Sequence, residues 1–500
     1  MKFLLILVIA IGSITLPPPA QSQALTSLSS LRVRYNSQKV RQQPAGELKA
    51  RLDEVDAQLA EAARLGLTGE TRRLLAQGTT LLAGDPWTAQ ADYSASLVLR
   101  SEAVVVDPNQ PYTLRLEQIY RPDIELSRAP DATVQLLAAG GSDKVKDFGR
   151  FEGLSRDLRE SPYFFDLDLS GVPDGNYLLS VSVSEADQVI GSSQLTIHVR
   201  QGLDELTARL QQGAAGAPAS VRADILYPVD RMRQVNRGRL ELRTFDPEAD
   251  FAAAEAVLAA ASTGTDPFIG RTGDFKRHYL LESANEIMPY RLYVPTGYDP
   301  ARQYPLVVAL HGLGGTENSF FDNYEQEFPP LAEAHGYIVA APLGFRVDGS
   351  YGWGLGDPPA DPTVRSVQQH SEEDVMEVLA RVQAQYNIDP NRIYLTGHSM
   401  GAIGTWKIAA KYPDVWAAIG MFAGSGNPDT LGAMRHIPQY VVHGDADPTV
   451  NVRGSRIMVA RMKDLEMTHE YIEVPGGNHG DVVAPGFPGL FEFFDKYSKP

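Results

Sequence analysis

The sequence predicts an α/β fold, in which a C-terminal α/β domain follows a β-sandwich and flanking helices. From about residue 275, apolar strand-like runs alternate with helical segments, which indicates a mostly parallel sheet covered on both faces. Between residues 91 and 200, apolar residues recur at every second position, the period of half-buried strands. The 500 residues include no Cys, so the cores must form by burial without disulfides.

Residues 1–24 have the layout of a secretory signal peptide. Lys2 gives a short basic start, residues 3–14 are apolar and uncharged, and Ser22 and Ala24 place small side chains where a signal peptidase cuts. The apolar run is shorter than the ~20 residues that a membrane span needs. We therefore expect a secreted or periplasmic protein with no membrane span after cleavage. The alternative is an uncleaved membrane anchor.

Residues 25–90 are predicted to be a linker followed by a helical segment. Residues 25 to about 45 are polar and mixed, as is typical of a linker. Apolar residues then recur at helical spacing from residue 47 to residue 82, and Gly66 and Gly69 divide this region into two helices.

The period-two region predicts an immunoglobulin-like β-sandwich over residues 91–200. The clearest strand-like runs are residues 94–99, 112–116, 133–137, 164–169, 177–183 and 193–199. Turn signals separate these runs, and many short strands at close spacing are typical of such a sandwich. A helical connector is expected over residues 201–265, with helices at 203–211 and 247–261 and an undefined piece between them.

The predicted C-terminal domain, residues 275–500, contains a nucleophile motif. A strand at residues 392–396 runs into Gly-His-Ser-Met-Gly at residues 397–401, and a helix is predicted directly afterwards. A Gly-x-Ser-x-Gly sequence between a strand and a helix is the nucleophile elbow of α/β-hydrolases. The glycines allow strand and helix to approach closely, and the sharp turn exposes the hydroxyl of Ser399, the predicted nucleophile.

A glycine-rich turn at residues 311–315 follows the apolar strand that ends at Leu310. In an α/β-hydrolase, this is where the second donor of the oxyanion hole lies. We assign the two donors to the backbone N–H groups of Met400 and Leu313, with Gly314 as the alternative to Leu313. His311 is expected to form structural hydrogen bonds rather than to catalyse.

The other two members of a catalytic triad should follow later strands, in the order acid and then His. Asp445 and Asp447 both follow the strand at residues 439–443. Asp447 is the predicted acid, and Asp445 is the alternative, which would otherwise cap the turn. His479 lies on the loop after the last strand and is the predicted general base, held in its tautomer by Asp447.

The predicted chemistry requires no cofactor, and no Cys/His cluster or His-Glu-x-x-His pair indicates a metal site. The formal charge of −17 argues against binding of nucleic acid or an anionic membrane through a general basic surface. No pattern in the sequence indicates an oligomeric state. Five further histidines are expected to be structural or at the surface: His278, His335, His370, His436 and His469.

The motifs resemble those of secreted esterases of the α/β-hydrolase superfamily related to feruloyl and acetylxylan esterases. Residues 388–406 carry the resemblance, and residues 293–298 and 443–448 fit it as well. Polyhydroxybutyrate-depolymerase-like proteins and the group labelled predicted peptidases share the pattern. The resemblance implies ester hydrolysis through an acyl-enzyme on the same triad, and some relatives carry an immunoglobulin-like domain before the hydrolase.

An insertion at residues 345–370 follows a core strand and is expected at the rim of the site. Its Trp353 and Tyr351 are candidate substrate-binding residues, because an aromatic ring can stack on an aromatic acyl group or a sugar. The alternative is that both rings only pack the loop. Asp374 is expected in the first turn of a helix over residues 372–386, where the helix dipole would stabilise it.

These observations favour a secreted serine carboxylic-ester hydrolase for small or carbohydrate-linked esters of the feruloyl or acetyl type. One alternative is a serine oligopeptidase that uses the same triad. The other is a glycan-binding or partner-binding protein with a vestigial hydrolase domain. The complete triad and the intact oxyanion turn argue against the vestigial alternative.

Overall fold

The computed structural model describes residues 28–141 and 143–500. The predicted signal peptide, residues 1–24, lies outside them. The described chain begins with helices α1 (Leu28–Gln42), α2 (Gly46–Arg64), α3 (Thr68–Leu82) and α4 (Ala89–Ser96). Helix α1 occupies the stretch predicted as a linker. No helix within residues 28–141 and 143–500 is long and apolar enough to cross a membrane.

The first three helices share a small apolar core. Leu52 and Leu59 on α2 and Leu74 on α3 are buried around Tyr35 of α1. A side chain at Gly78 of α3 would lie 2.5 Å from the Tyr35 ring, so glycine allows the two helices to touch. The helical spacing of the apolar residues is thus explained by one buried face per helix.

Two sheets follow. Their strands are β1 (Leu97–Ser101), β2 (Val105–Val106), β3 (Tyr112–Gln118), β4 (Asp131–Ala138), β5 (Lys144–Phe151), β6 (Tyr163–Leu167), β7 (Gly175–Glu185) and β8 (Gln188–Val199). One sheet has the order β1-β3-β6 and the other β2-β8-β7-β4-β5. Alternate residues of β3, β4 and β7 are buried in one large apolar cluster, which continues into the helices and the sheet that follow.

Three details of this region differ from the prediction, one of which is that the short strand β2 was not predicted. Residues 94–96 end helix α4 and the strand begins only at Leu97, because Tyr93 and Ser96 turn a buried helical face toward the sheet. Strand β5 was not predicted, since its sequence is rich in charge and none of its side chains is fully buried. It joins the edge of the sheet by backbone pairing with β4.

Three helices connect this region to the rest of the chain: α5 (Leu203–Gly216), α6 (Arg222–Asn236) and α7 (Pro247–Ala261). Helix α6 fills the piece that the sequence leaves undefined. Its apolar pattern is masked by Pro228 in its interior and by polar side chains that are buried, among them Asp224 and Asp230.

The C-terminal region is built on an eight-stranded sheet of order β16-β15-β14-β13-β11-β12-β10-β9. Its strands are β9 (Gly273–Leu281), β10 (Glu286–Val294), β11 (Tyr304–Leu310), β12 (Ile338–Pro342), β13 (Ile388–His398), β14 (Ala418–Phe422), β15 (Gln439–Gly444) and β16 (His469–Val474). The strands from β12 to β16 pair in parallel, and β9 and β10 pair antiparallel at one edge. The predicted α/β architecture is confirmed.

Helices cover both faces of this sheet. They are α8 (Ser319–Asp322), α9 (Phe328–His335), α10 (Pro362–Gln385), α11 (Met400–Lys411), α12 (Arg453–Asp464) and α13 (Val483–Phe494). Every residue of β11 is buried, and its side chains alternate between two apolar clusters. Because parallel strands point the same way, the loops after β11, β13, β15 and β16 meet at one edge of the sheet.

Helix α6 joins this sheet to the two N-terminal sheets. On one side, Asp224 accepts hydrogen bonds from the backbone N of His278 (2.8 Å) and from Nε of Arg277 (3.2 Å). On the other side, Oδ1 of Asn236 accepts from the backbone N of Val104 (2.9 Å) and of Val105 (3.0 Å). The connector is therefore part of the packed molecule and not a free tether.

The position of Asp374 within its helix differs from the prediction. Helix α10 begins at Pro362, so Asp374 lies in its middle and not in its first turn. The carboxylate is fully buried, and it accepts hydrogen bonds from Tyr279 Oη (2.5 Å) and from the backbone N of Phe345 (2.8 Å). Burial raises the pKa of Asp374 to about 6 against these hydrogen bonds.

Candidate active site

Ser399 stands alone between the last residue of β13 and the first residue of α11. Its backbone has φ 56° and ψ −115°, a conformation that is strained for a residue with a side chain. Its N–H donates to the carbonyl O of Phe422 on β14 (2.9 Å), which holds the turn at the sheet edge. The sharp turn leaves the hydroxyl facing the loops that follow the other strands.

The glycines on either side of Ser399 are required by space. A Cβ at Gly401 would lie 2.0 Å from the carbonyl O of Leu310, and one at Gly397 would lie 2.3 Å from the backbone of Gly401. Both neighbours are backbone atoms, which cannot move aside as a flexible side chain can. The motif therefore has glycine where β13, β11 and α11 touch.

The structure brings Ser399, His479 and Asp447 into one hydrogen-bonded chain. Ser399 Oγ lies 2.9 Å from His479 Nε2, and His479 Nδ1 lies 2.7 Å from Asp447 Oδ2. Since a carboxylate only accepts, Nδ1 of His479 carries the proton and Nε2 is left to accept from the serine hydroxyl. This is the geometry of a nucleophile, a general base and an orienting acid.

The two candidate acids have different partners. Asp447 Oδ1 accepts from the backbone N of Thr449 (2.7 Å) and of Val450 (2.9 Å), and Oδ2 faces His479. Asp445 Oδ1 instead accepts from the backbone N of Gly476 (2.6 Å), on the loop that leads to His479. Asp447 is thus the carboxylate at the His479 ring, and Asp445 fastens the neighbouring loop.

Asp447 is held ionised by its surroundings. Burial opposes its charge, but hydrogen bonds from His443 and His479 outweigh burial and keep the pKa of Asp447 well below its usual range. The carboxylate side chain is fully buried. An ionised acid is therefore present beside His479 throughout the neutral pH range.

Backbone N–H groups are available where an oxyanion would form. A Cβ at Gly312 would lie 3.4 Å from Ser399 Cβ, so the turn after β11 lies against the nucleophile. The N–H of Gly314 donates to the carbonyl O of Val347 (2.8 Å) and is therefore occupied. In the described residues, neither Leu313 N nor Met400 N has an acceptor, and this distinction favours Leu313 over Gly314.

His398, which directly precedes Ser399, supports the loop that carries His479. Its Nε2 lies 2.9 Å from the carbonyl O of His479, and its Nδ1 lies 3.0 Å from Tyr324 Oη. Because the carbonyl only accepts, Nε2 of His398 donates and Nδ1 accepts from the tyrosine. Burial, together with the nearby His479, lowers the pKa of His398 to about 4, so its ring is neutral at pH 7.

Comparison with known proteins agrees with this geometry. Residues 282–463 match the model of the family described as putative esterase. The resemblance to esterases that the motifs predict is confirmed for this part of the chain. We use the name esterase domain for residues 275–500.

Characterised relatives of the esterase domain include two feruloyl esterases B. The protein of Neurospora crassa is 30% identical over 151 residues, which cover 30% of this chain and 48% of the relative. The feruloyl esterase B of Talaromyces stipitatus is 32% identical over 163 residues, which cover 32% of this chain and 39% of the relative. Acetylxylan esterase A of Aspergillus oryzae is 29% identical over 133 residues, covering 27% and 40%. The chain thus spans about half or less of the length of each of these relatives.

Solved structures similar to this chain include a thermostable esterase and a ferulic acid esterase of Anaeromyces mucronatus. The first is 19% identical with a TM-score of 0.38, covering 77% of this chain and 95% of that one. The second is 21% identical with a TM-score of 0.37, covering 45% and 90%.

A cavity of about 300 Å³ opens beside the nucleophile helix of the esterase domain. Its walls include Trp353, Leu355, Ile403, Trp406, Ser425 and Asn427. Ile403 lies about 6 Å beyond Ser399 along the axis of α11, so the cavity begins about one helical turn from the nucleophile. Its lining is mostly apolar and aromatic.

The two candidate substrate-binding aromatic residues, Trp353 and Tyr351, differ in burial and in surroundings. Trp353 is half-buried and lines the cavity. Tyr351 is fully buried, and its Oη donates to the carbonyl O of His311 (3.2 Å) beneath the oxyanion turn. The expectation that Tyr351 stacks on substrate is therefore wrong, because close packing against Gly344 and Gly404 leaves its ring no open face.

Lys407 fastens the loop that carries Trp353. Its Nζ donates to the carbonyl O of Ser350 (3.1 Å) and of Gly352 (2.8 Å). Burial lowers the pKa of Lys407 to about 8. The loop is thus tied to the same helix that begins at the nucleophile.

The sequence prediction missed two histidines next to the triad, His398 and His443. A signal was present for His443, since it ends an otherwise mostly apolar strand run and a buried polar group needs a partner. His398 gave no such signal, because the middle positions of Gly-x-Ser-x-Gly accept many residues. In residues 28–141 and 143–500, no group of three or more His, Asp or Glu side chains could hold a metal ion.

Proposed function

We propose that this protein is a secreted serine carboxylic-ester hydrolase that works through an acyl-enzyme. The observation that carries the proposal is the continuous hydrogen-bonded chain from Ser399 Oγ through His479 to Asp447. The match of residues 282–463 to the esterase family supports the same class of reaction. No cofactor is needed for it.

In the acylation step, Ser399 Oγ attacks the ester carbonyl while His479 Nε2 takes the hydroxyl proton. The negative charge that develops on the carbonyl oxygen is stabilised by the N–H groups of Leu313 and Met400. Asp447 orients the ring and balances its positive charge. The tetrahedral intermediate then collapses, and His479 returns the proton to the departing alcohol.

Deacylation repeats these steps with water. His479 removes a proton from a water molecule that attacks the acyl carbonyl, and the same two N–H groups hold the second oxyanion. The proton then passes to Ser399 Oγ as the acid leaves. Because His398 binds the backbone of His479, the general base stays aligned through both steps.

The substrates are small or carbohydrate-linked esters, and the cavity favours an aromatic acyl group of the feruloyl type over acetyl. A volume of about 300 Å³ with a tryptophan wall is larger than an acetyl group needs. The feruloyl esterases among the relatives support this choice. The sandwich is proposed to be an immunoglobulin-like module that packs on the esterase domain as a spacer.

Hydrolysis of a short ester panel tests the proposal. The panel is 4-nitrophenyl acetate and butyrate, methyl ferulate and a matched peptide anilide, each with the wild type and Ser399→Ala. We expect ester turnover, a preference for the ferulate in kcat/KM, and loss of at least about 1000-fold in the variant. Ester turnover that persists in Ser399→Ala, or cleavage of the anilide alone, would contradict it.

A further inference from the structure

His443 is a fully buried ring at the end of β15, in contact with the carboxylate of the triad. Its Nε2 lies 3.1 Å from Asp447 Oδ2 and 2.9 Å from the carbonyl O of Val450. Its Nδ1 lies 2.7 Å from Ser455 Oγ on α12, and Ser455 Oγ donates to the carbonyl O of Gly424 (3.0 Å). The ring is therefore fixed at both nitrogens and has no exposed surface.

The partners of His443 define where its proton lies. Both oxygens that face Nε2 are acceptors only, so Nε2 carries a hydrogen and donates. The contact between Nδ1 and Ser455 Oγ does not alter this conclusion, because Nε2 faces only acceptors whichever of those two groups donates to the other. Asp447 Oδ2 thus receives two imidazole N–H groups, one from His479 and one from His443.

We propose that His443 is a positioning residue, which sets the orientation and the basicity of Asp447 and thereby tunes His479. This inference rests on the proposed function. The second N–H shares the electron density of Oδ2, so Asp447 attracts the His479 proton less strongly than a free carboxylate would. Together with the two backbone donors on Oδ1, it also fixes the plane of the carboxylate.

Few other charged groups face this ring. Glu473 of β16 interacts with His443 electrostatically and is itself paired with Arg456 (2.6 Å). His398 and His479, whose ring centroids are 4.7 Å apart, also lie near Asp447, and His398 interacts electrostatically with His443. Removing the His443 N–H leaves Asp447 Oδ2 with one imidazole donor, and this strengthens the hydrogen bond between Asp447 and His479.

The test compares His443→Leu and His443→Gln with the wild type. Leu fills the space without a donor, whereas the Gln side-chain amide can reach the place of Nε2. For His443→Leu we expect a kcat about 10-fold to 100-fold lower, KM unchanged within about twofold, and the acid limb of the pH–rate profile moved to higher pH. His443→Gln should recover most of kcat and return the acid limb toward its original position.

Two measurements keep the test decisive. The rate at which a fluorophosphonate labels Ser399 should fall in His443→Leu and recover in His443→Gln, and it can be read even if no ester is turned over. Ser455→Ala, which frees only Nδ1, should show a smaller loss in the same direction, and it replaces His443→Leu if that variant fails to fold. An unchanged acid limb and labelling rate in a folded His443→Leu, or equal losses in Leu and Gln, would overturn the proposal. Absent ester turnover with normal labelling would overturn only the proposed function.

Discussion

The space around Ser399 decides which residues can stand next to it. Replacing Gly401 by Ala would push a methyl group to within 2.0 Å of the carbonyl O of Leu310, so β11 and α11 would have to separate. Because a misplacement of about 1 Å at a catalytic group costs about 100-fold in rate, we expect Gly401→Ala to lower kcat/KM by at least that factor. Hydrolysis of 4-nitrophenyl butyrate measures it.

Gly297→Ala is the matched control for this substitution. Nothing lies within 4 Å of a Cβ at Gly297, so the same chemical change meets open space there. Its activity should stay within about twofold of the wild type. Equal activity of both variants would show that the contact at Gly401 relaxes without moving the nucleophile.

The triad residues could be predicted from the sequence because each follows a strand that apolar periodicity makes visible. The choice between Leu313 and Gly314 could not, since it depends on Val347, a residue far along the chain whose carbonyl O accepts the hydrogen bond of the Gly314 N–H. The roles of His443 and His398 could not be predicted for the same reason, although the apolar run before His443 indicated that its ring is buried. Their roles depend on partners from α12 and from the loop before α9, and no local pattern records those contacts.

At the level of elements, helix α10 carries a buried carboxylate that should make stability depend on pH. The pKa of Asp374 is raised from 3.8 to about 6 by burial, so between these values the folded state holds a proton that the unfolded chain releases. The contribution of Asp374 to stability therefore falls as pH rises through this window. Asp374→Asn has no such proton.

Urea unfolding of the wild type and Asp374→Asn at pH 5 and pH 7.5 measures this contribution. The wild type should lose about 1 kcal/mol relative to the variant on going from pH 5 to pH 7.5. Asp357→Asn, at an exposed position, is the control and should follow the wild type at both pH values. A constant difference between wild type and Asp374→Asn would mean that Asp374 does not titrate in this range.

Elements with a regular apolar period could be predicted from the sequence. Elements in which charged or polar residues interrupt that period could not. Strands β3, β4 and β7 show one buried face, whereas β5 has exposed charged side chains and only half-buried aromatic ones, Phe148 and Phe151. Helix α6 was missed because it buries Asp224 and Asp230, and charged residues in a sequence normally indicate an exposed segment. Their partners lie on β9 and β10, which the sequence does not place beside α6.

At the level of the whole molecule, the ion pair between Asp224 and Arg277 links the connector to the esterase domain. Both side chains are buried, with 2% and 6% of their surface exposed. Asp224→Asn would leave the Arg277 charge without its partner, and breaking a buried pair in this way costs about 3–5 kcal/mol. Glu255→Gln, which breaks the exposed pair of Glu255 with Arg209, should cost less than about 1 kcal/mol. Urea unfolding of both variants compares them, and equal small losses would show that the connector is held by apolar contacts alone.

The same packing predicts which part of the N-terminal half the esterase domain requires. Helix α6 covers β9 and β10, and its buried Ile225 and Val229 belong to the same apolar cluster as Met288 of β10. A fragment of residues 270–500 would expose this face together with an unpaired Arg277, so we expect it to aggregate or to lack a cooperative thermal transition.

A fragment of residues 203–500 keeps α5, α6 and α7 and should therefore fold and react with a fluorophosphonate. Its stability should be lower than that of the full chain, because the contacts of Asn236 with the sandwich are lost. Thermal unfolding and fluorophosphonate labelling of the two fragments and the full chain measure this. A soluble, labelled 270–500 fragment would show that the esterase domain folds without the connector. The connector would then only attach the N-terminal sheets to it.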